Sequence, residues 1–283
     1  MNARPEGSPT LRSVLRIVRG TATSDGAGVR LMRLIGTESL PELDPFLLLD
    51  QFGSDSAADY IAGFPEHPHR GFETVTYMLE GRMRHRDNQG NEGLLVSGSV
   101  QWMTAGRGIV HSEMPEQEAG RMSGFQLWVN LPAARKMTAP RYQDIAPEQI
   151  PSITPAPGVK VRVIAGQVAE TSGPVQGIAT APLFLDIALN ASTHFELQLP
   201  AGHTAFVAVF EGNLSIAATQ LDAGELGVLG PGSTLKLESA NGGRAIVAAA
   251  QPLGEPVARY GPFVMNTRAE IIQAIEDFNG GRF

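Results

Sequence analysis

The sequence predicts an all-β protein built as two successive barrel-like domains and finished by one short helix. Three observations carry this. Gly and Pro recur 32 and 20 times in 283 residues, and the segments they leave between them are short and rich in β-branched and aromatic side chains. A Pro-rich stretch interrupts the middle of the chain, and the segments on its two sides resemble one another.

Thr74-Val75-Thr76-Tyr77-Met78-Leu79, Phe125-Gln126-Leu127-Trp128-Val129 and Ala205-Phe206-Val207-Ala208-Val209-Phe210 are representative strands. Many such strands at fairly regular spacing, divided by turn residues, point to sandwiches or barrels rather than helical layers. Residues 135–158 contain Pro140, Pro147, Pro151, Pro155 and Pro157, which limit regular structure and mark the domain connection. The expected domains are residues 1–135 and 136–283. Val75-Thr76-Tyr77-Met78-Leu79-Glu80-Gly81 is similar to Val207-Ala208-Val209-Phe210-Glu211-Gly212, and Gly98-Ser99 to Gly232-Ser233, as a duplicated barrel would require. Near the C-terminus, Thr267 and Glu270 have capping-box spacing. They precede Ile271, Ile272, Ala274, Ile275 and Phe278, an apolar helix face that Gly280 and Gly281 terminate.

A formal net charge of -7 argues against a surface built to neutralise nucleic-acid phosphate. No apolar run is long enough to span a bilayer, and the N-terminal segment lacks the apolar centre of a signal peptide, so a cytoplasmic protein is expected. With no cysteine, disulfides and thiolate chemistry are excluded, and any metal must be held by nitrogen and oxygen.

Such ligands occur in two pairs. His67 and His69 lie two apart in His-Pro-His, so an extended backbone projects them to one side, with Glu73 on that side too if no bulge intervenes. Pro68 cannot donate to a ladder, which suits a strand start or an edge. His111 and Glu113 repeat the spacing after the glycine-flanked turn Gly106-Arg107-Gly108. A lone His-x-His on a strand is commonly an ordinary polar pair. Two such pairs in a chain of six histidines point instead to one metal site. Three imidazoles and a carboxylate suit iron, manganese, nickel, copper or zinc better than magnesium or calcium. On an octahedral ion they leave two open positions, whereas tetrahedral zinc would be closed and structural. His85, in Arg82-Met83-Arg84-His85-Arg86-Asp87-Asn88, is expected at the solvated surface, and His194 and His203 lack comparable partners.

Residues 63–81 (GFPEHPHRGFETVTYMLEG) and 101–115 (QWMTAGRGIVHSEMP) closely resemble the pirin family of the cupin superfamily. Asp44-Pro45-Phe46-Leu47-Leu48-Leu49-Asp50, Leu127-Trp128-Val129-Asn130-Leu131-Pro132 and Gly261-Pro262-Phe263-Val264-Met265-Asn266-Thr267 extend the resemblance over nearly the full chain, most weakly between residues 152 and 254. It implies two tandem cupin barrels of jelly-roll type, with one metal, typically Fe(II), in the first and none in the second; Mn, Ni, Cu, Co or Zn are alternatives. It assigns His67, His69, His111 and Glu113 as ligands and leaves Glu73 a supporting role beside them. Aligning the halves puts Gln198, Pro200, Ala248 and Ala250 where these ligands stand, and none is a usual ligand.

The resemblance further implies quercetin 2,3-dioxygenase activity, the oxygenative opening of a flavonol's central ring with release of carbon monoxide. The flavonol 3-hydroxyl would lose its proton either to Glu113, the candidate catalytic residue, or to hydroxide held by the metal. The alternative implied function is a regulatory protein whose iron oxidation state controls binding to protein partners.

Overall fold

A computed structural model describes residues 10–283. The chain folds into two compact units, each with its own core, and residues 1–9 of the segment read as lacking a leader lie outside the described residues.

The unit that contains the histidine pairs is a sandwich of two antiparallel sheets. Its larger sheet runs, in spatial order, Arg141–Ile145, Val100–Thr104, Phe72–Glu80, Met122–Asn130, Phe46–Ser54, Val29–Ile35 and Thr21–Asp25. The smaller sheet runs Phe64–His69, Ile109–Pro115, Met83–Asp87 and Glu92–Leu95. Side chains alternate across each strand, so Thr74, Thr76, Gln126 and Trp128 share the face toward the smaller sheet, while Glu73, Val75, Tyr77 and Leu127 share the opposite face. Both faces of Phe72–Glu80 are buried over most of its length, so its polar residues Glu73, Thr74 and Thr76 sit among apolar neighbours and need hydrogen-bond partners there.

The second unit is organised around the 13-residue strand Thr204–Ile216. This strand pairs with Glu225–Leu229 and Gly243–Ala250 along its first part and with Thr219–Asp222 along its last, joining the two halves of one curled sheet. The interior is filled by residues such as Val161, Leu185, Val207, Leu235 and Val247. The predicted all-β class with a C-terminal helix holds.

The units do not follow the predicted division at 135/136. Residues 136–150 belong with the first sandwich because Arg141–Ile145 extends its sheet beside Val100–Thr104, so the Pro-rich stretch is less irregular than expected and the chain crosses at Ile150 and Pro151. The strand Val14–Arg19 belongs to the second unit, paired with Glu225–Leu229. There Arg12, 2% exposed, donates to the carbonyls of Gly232, Pro200 and His203.

The C-terminal residues 253–283 return to the first sandwich. The helix Arg268–Asn279 starts with the predicted capping box: Thr267 Oγ1 accepts from the Glu270 amide, and Glu270 Oε2 accepts from the Thr267 amide at 2.8 Å. Ile271 and Ala274 are buried against Phe263 and Met265, whereas Ile272, expected on the same apolar face, is 49% exposed.

Candidate metal centre

The strand Phe64–His69 forms the edge of the smaller sheet, where Pro65 and Pro68 withhold no amide that an interior strand would need. Its neighbour Ile109–Pro115 pairs His111 with His67 and then slips in register before Glu113 meets Phe64. A bulge of this kind re-aims the side chains that follow it. His67, His69 and His111 converge so that one ligand nitrogen of each lies within 4.8 Å of the others. His69 and His111 are almost fully buried and His67 is partly exposed.

The donor set fits a divalent transition ion. His67 Nδ1 lies 2.8 Å from the Pro65 carbonyl, a contact that places the proton on Nδ1 and leaves the Nε2 lone pair toward the cluster. His67 Nε2 and His69 Nε2 are 3.0 Å apart, and His111 Nε2 is buried with no hydrogen-bond partner among the described residues. Burial, reinforced by the neighbouring histidines, holds His69 and His111 well below the ordinary imidazole range, so both are neutral at pH 7. Neutral imidazoles crowded around a common point are the form a metal requires.

Glu113 lines a cavity shared with His67 and His69 and is 3% exposed; the Thr76 hydroxyl lies 2.8 Å from Glu113 Oε1 and 2.7 Å from Gln126 Oε1 and donates its single proton to one or the other. The cavity has a volume of about 480 Å3, within the roughly 300–1,000 Å3 usual for small-molecule sites. Leu31, Leu48, Phe52, Phe64, Met83 and Trp128 form its apolar lining. Asp50 also lines it, but both its oxygens accept from Arg33, at 2.8 and 2.7 Å. Arg259 lies over the Trp128 ring at 4.8 Å.

Two sequence expectations change here. Glu73 does not stand beside the histidines: Gly71, at φ +89°, breaks the alternation that would have carried it to their side. It sits on the opposite face of its sheet, accepting from Thr104 Oγ1 at 2.7 Å and Trp102 Nε1 at 3.2 Å. His85 is not surface but 1% exposed, its Nδ1 3.2 Å from His111 Nδ1 and its ring against Tyr142. Alternation could have found it, since Met83 and His85 turn inward while Arg84 and Arg86 turn outward to Glu92 and Glu116. In the second unit, His194 is exposed and His203 uses its backbone carbonyl to hold Arg12.

Family models match both halves of the chain: Pirin over residues 28–129 and the Pirin C-terminal cupin domain over residues 184–283. A pirin-like protein of Caulobacter vibrioides is 53% identical over 274 residues, covering 96% of this chain and 99% of its own. The crystal structure of quercetin 2,3-dioxygenase from Acinetobacter baumannii superposes with a TM-score of 0.90 at 36% identity, covering 97% of this chain and 99% of that one. A bacterial pirin from Escherichia coli, solved in complex with nickel(II), shares the fold at a TM-score of 0.64 and 17% identity, covering 84% of this chain and 98% of its own.

Proposed function

The chain belongs to the pirin family, and from that premise we propose that it is a metal-dependent dioxygenase acting on a flavonol-type substrate, with His67, His69, His111 and Glu113 as ligands of one divalent ion, Fe(II) by preference. The observation that carries the reading is the convergence of three imidazoles beside an apolar cavity whose wall also contributes a carboxylate. The A. baumannii relative, named a quercetin 2,3-dioxygenase, supports the choice of substrate class.

When bound, the ion supplies a Lewis-acidic, redox-active centre with positions open to substrate oxygen and dioxygen. The chain's own residues do the rest. Leu48, Phe52, Phe64 and Trp128 offer flat and branched apolar surface to an aromatic ring system and exclude water from it. Glu113, steadied by Thr76, is the carboxylate able to take the proton of an acidic hydroxyl entering the cavity. The Thr76 hydroxyl, within hydrogen-bond distance of Glu113 Oε1 and Gln126 Oε1, places a donor beside the carboxylate before substrate arrives.

The test is elemental analysis of the purified protein with an anaerobic absorption spectrum before and after quercetin, followed by admission of air. One ion per chain, a spectrum that shifts on quercetin addition, and aerobic loss of the flavonol with carbon monoxide release are expected. A fully iron-occupied protein that leaves quercetin intact in air sinks the dioxygenase reading.

A further inference from the structure

His85 lies outside the four ligands, yet its geometry bears on one of them. It is carried on Met83–Asp87, next to Ile109–Pro115 in the smaller sheet, with His85 opposite Glu113 in the register. Its Nδ1 is 3.2 Å from Nδ1 of His111, and the pair is buried. Tyr142 packs against it with ring centroids 4.7 Å apart, which limits ring rotation.

Between two neutral imidazoles this contact has two proton arrangements. If His85 donates, His111 accepts at Nδ1 and must carry its own proton on Nε2, where it can bind no metal. If His111 donates from Nδ1, its Nε2 presents a lone pair and His85 carries its proton on Nε2; both Nε2 atoms are buried without a hydrogen-bond partner among the described residues, so ligation is what chooses between the arrangements. Only the second arrangement is compatible with ligation. We propose that His85 is a positioning residue: by accepting the Nδ1 proton of His111, it holds that imidazole in the tautomer and orientation that turn the Nε2 lone pair toward the ion. The inference rests on the reading of His111 as a ligand.

The test compares two amides of different reach. Asparagine at 85 puts an oxygen near the position of the imidazole Nδ1, whereas glutamine extends to the position of Nε2 and leaves the acceptor point vacant. Nickel(II) is titrated calorimetrically into metal-free wild type, His85→Asn and His85→Gln. His85→Gln is expected to bind roughly 10- to 100-fold more weakly, the usual cost of losing an outer partner of a metal-ligating histidine, and His85→Asn to recover most of the loss. Pulsed EPR of the copper(II)-loaded proteins reads the remote imidazole nitrogens. One of three is expected to change in His85→Gln and to return toward wild type in His85→Asn. Equal nickel affinity in wild type and His85→Gln overturns the proposal, as does equal weakening in both variants with unaltered remote-nitrogen signals, which would mark a packing role. Wild type that binds no nickel, copper or iron defeats the metal reading itself, a result distinct from either.

Discussion

His67 and His69 face each other through their Nε2 atoms at 3.0 Å across the intervening Pro68. Two lone pairs at that separation repel unless a proton or a cation lies between them, and a bound metal ion would take the place of the proton that one neutral ring otherwise supplies. Substituting His69→Ala removes one converging nitrogen. Metal content measured by elemental analysis should fall from one ion per chain to a small fraction, with the far-ultraviolet circular dichroism of the metal-free protein preserved. Retention of a full equivalent would remove His69 from the ligand set.

Glu73 gives a pH prediction of known sign. Burial pushes its carboxyl up to about 7 from an ordinary 4.5, against the opposing pull of hydrogen bonds from Thr104 and Trp102. Between these values the folded chain holds a proton that the unfolded chain has released, so stability should decline as pH rises from about 4.5 to about 7 and then level off. The shift corresponds to ~3 kcal/mol. Glu73→Gln should flatten that slope in chemical denaturation series. Because Glu73 lies across the sheet from the histidines, metal content should not change.

Lys136 is 1% exposed and donates to the carbonyls of Gly71 and Val264 and to Asn130 Oδ1, at 2.8, 3.0 and 2.7 Å. It thus ties the turn after His69 to the segment before the C-terminal helix. Lys136→Met leaves three acceptors buried without their donor, and should lower stability by about 2–4 kcal/mol at pH 7. Burial lowers the ammonium from 10.5 to about 8, so wild type should gain stability as pH rises between those values. The methionine variant should lack that gain.

Gly71 occupies a left-handed conformation, and a Cβ there would stand 2.0 Å from the Val264 carbonyl oxygen. Gly71→Ala should therefore cost about 3 kcal/mol or more and, by displacing the turn next to His69, weaken nickel binding as well. A variant with wild-type thermal midpoint and affinity would show that the turn tolerates a side chain.

The sites of these predictions were unequally legible in the sequence. His67, His69, His111 and Glu113 could be picked out because two-residue spacing and strand alternation are local rules, and the capping box of Thr267 and Glu270 is equally local. Glu73 was misplaced because the same rule was carried through Gly71, where the backbone changes course.

The sequence by itself determined the strand-rich class, the absence of thiol chemistry, the histidine pairs and the family resemblance, since these depend on residue type and short spacing. Tertiary structure alone decided that Val14–Arg19 joins the second unit while the C-terminal helix returns to the first. It alone brought His111 opposite His67 on one side and within 3.2 Å of His85 on the other. Those relationships are set by the register of strands far apart in the chain, and a slip of one residue would turn each imidazole to the opposite face.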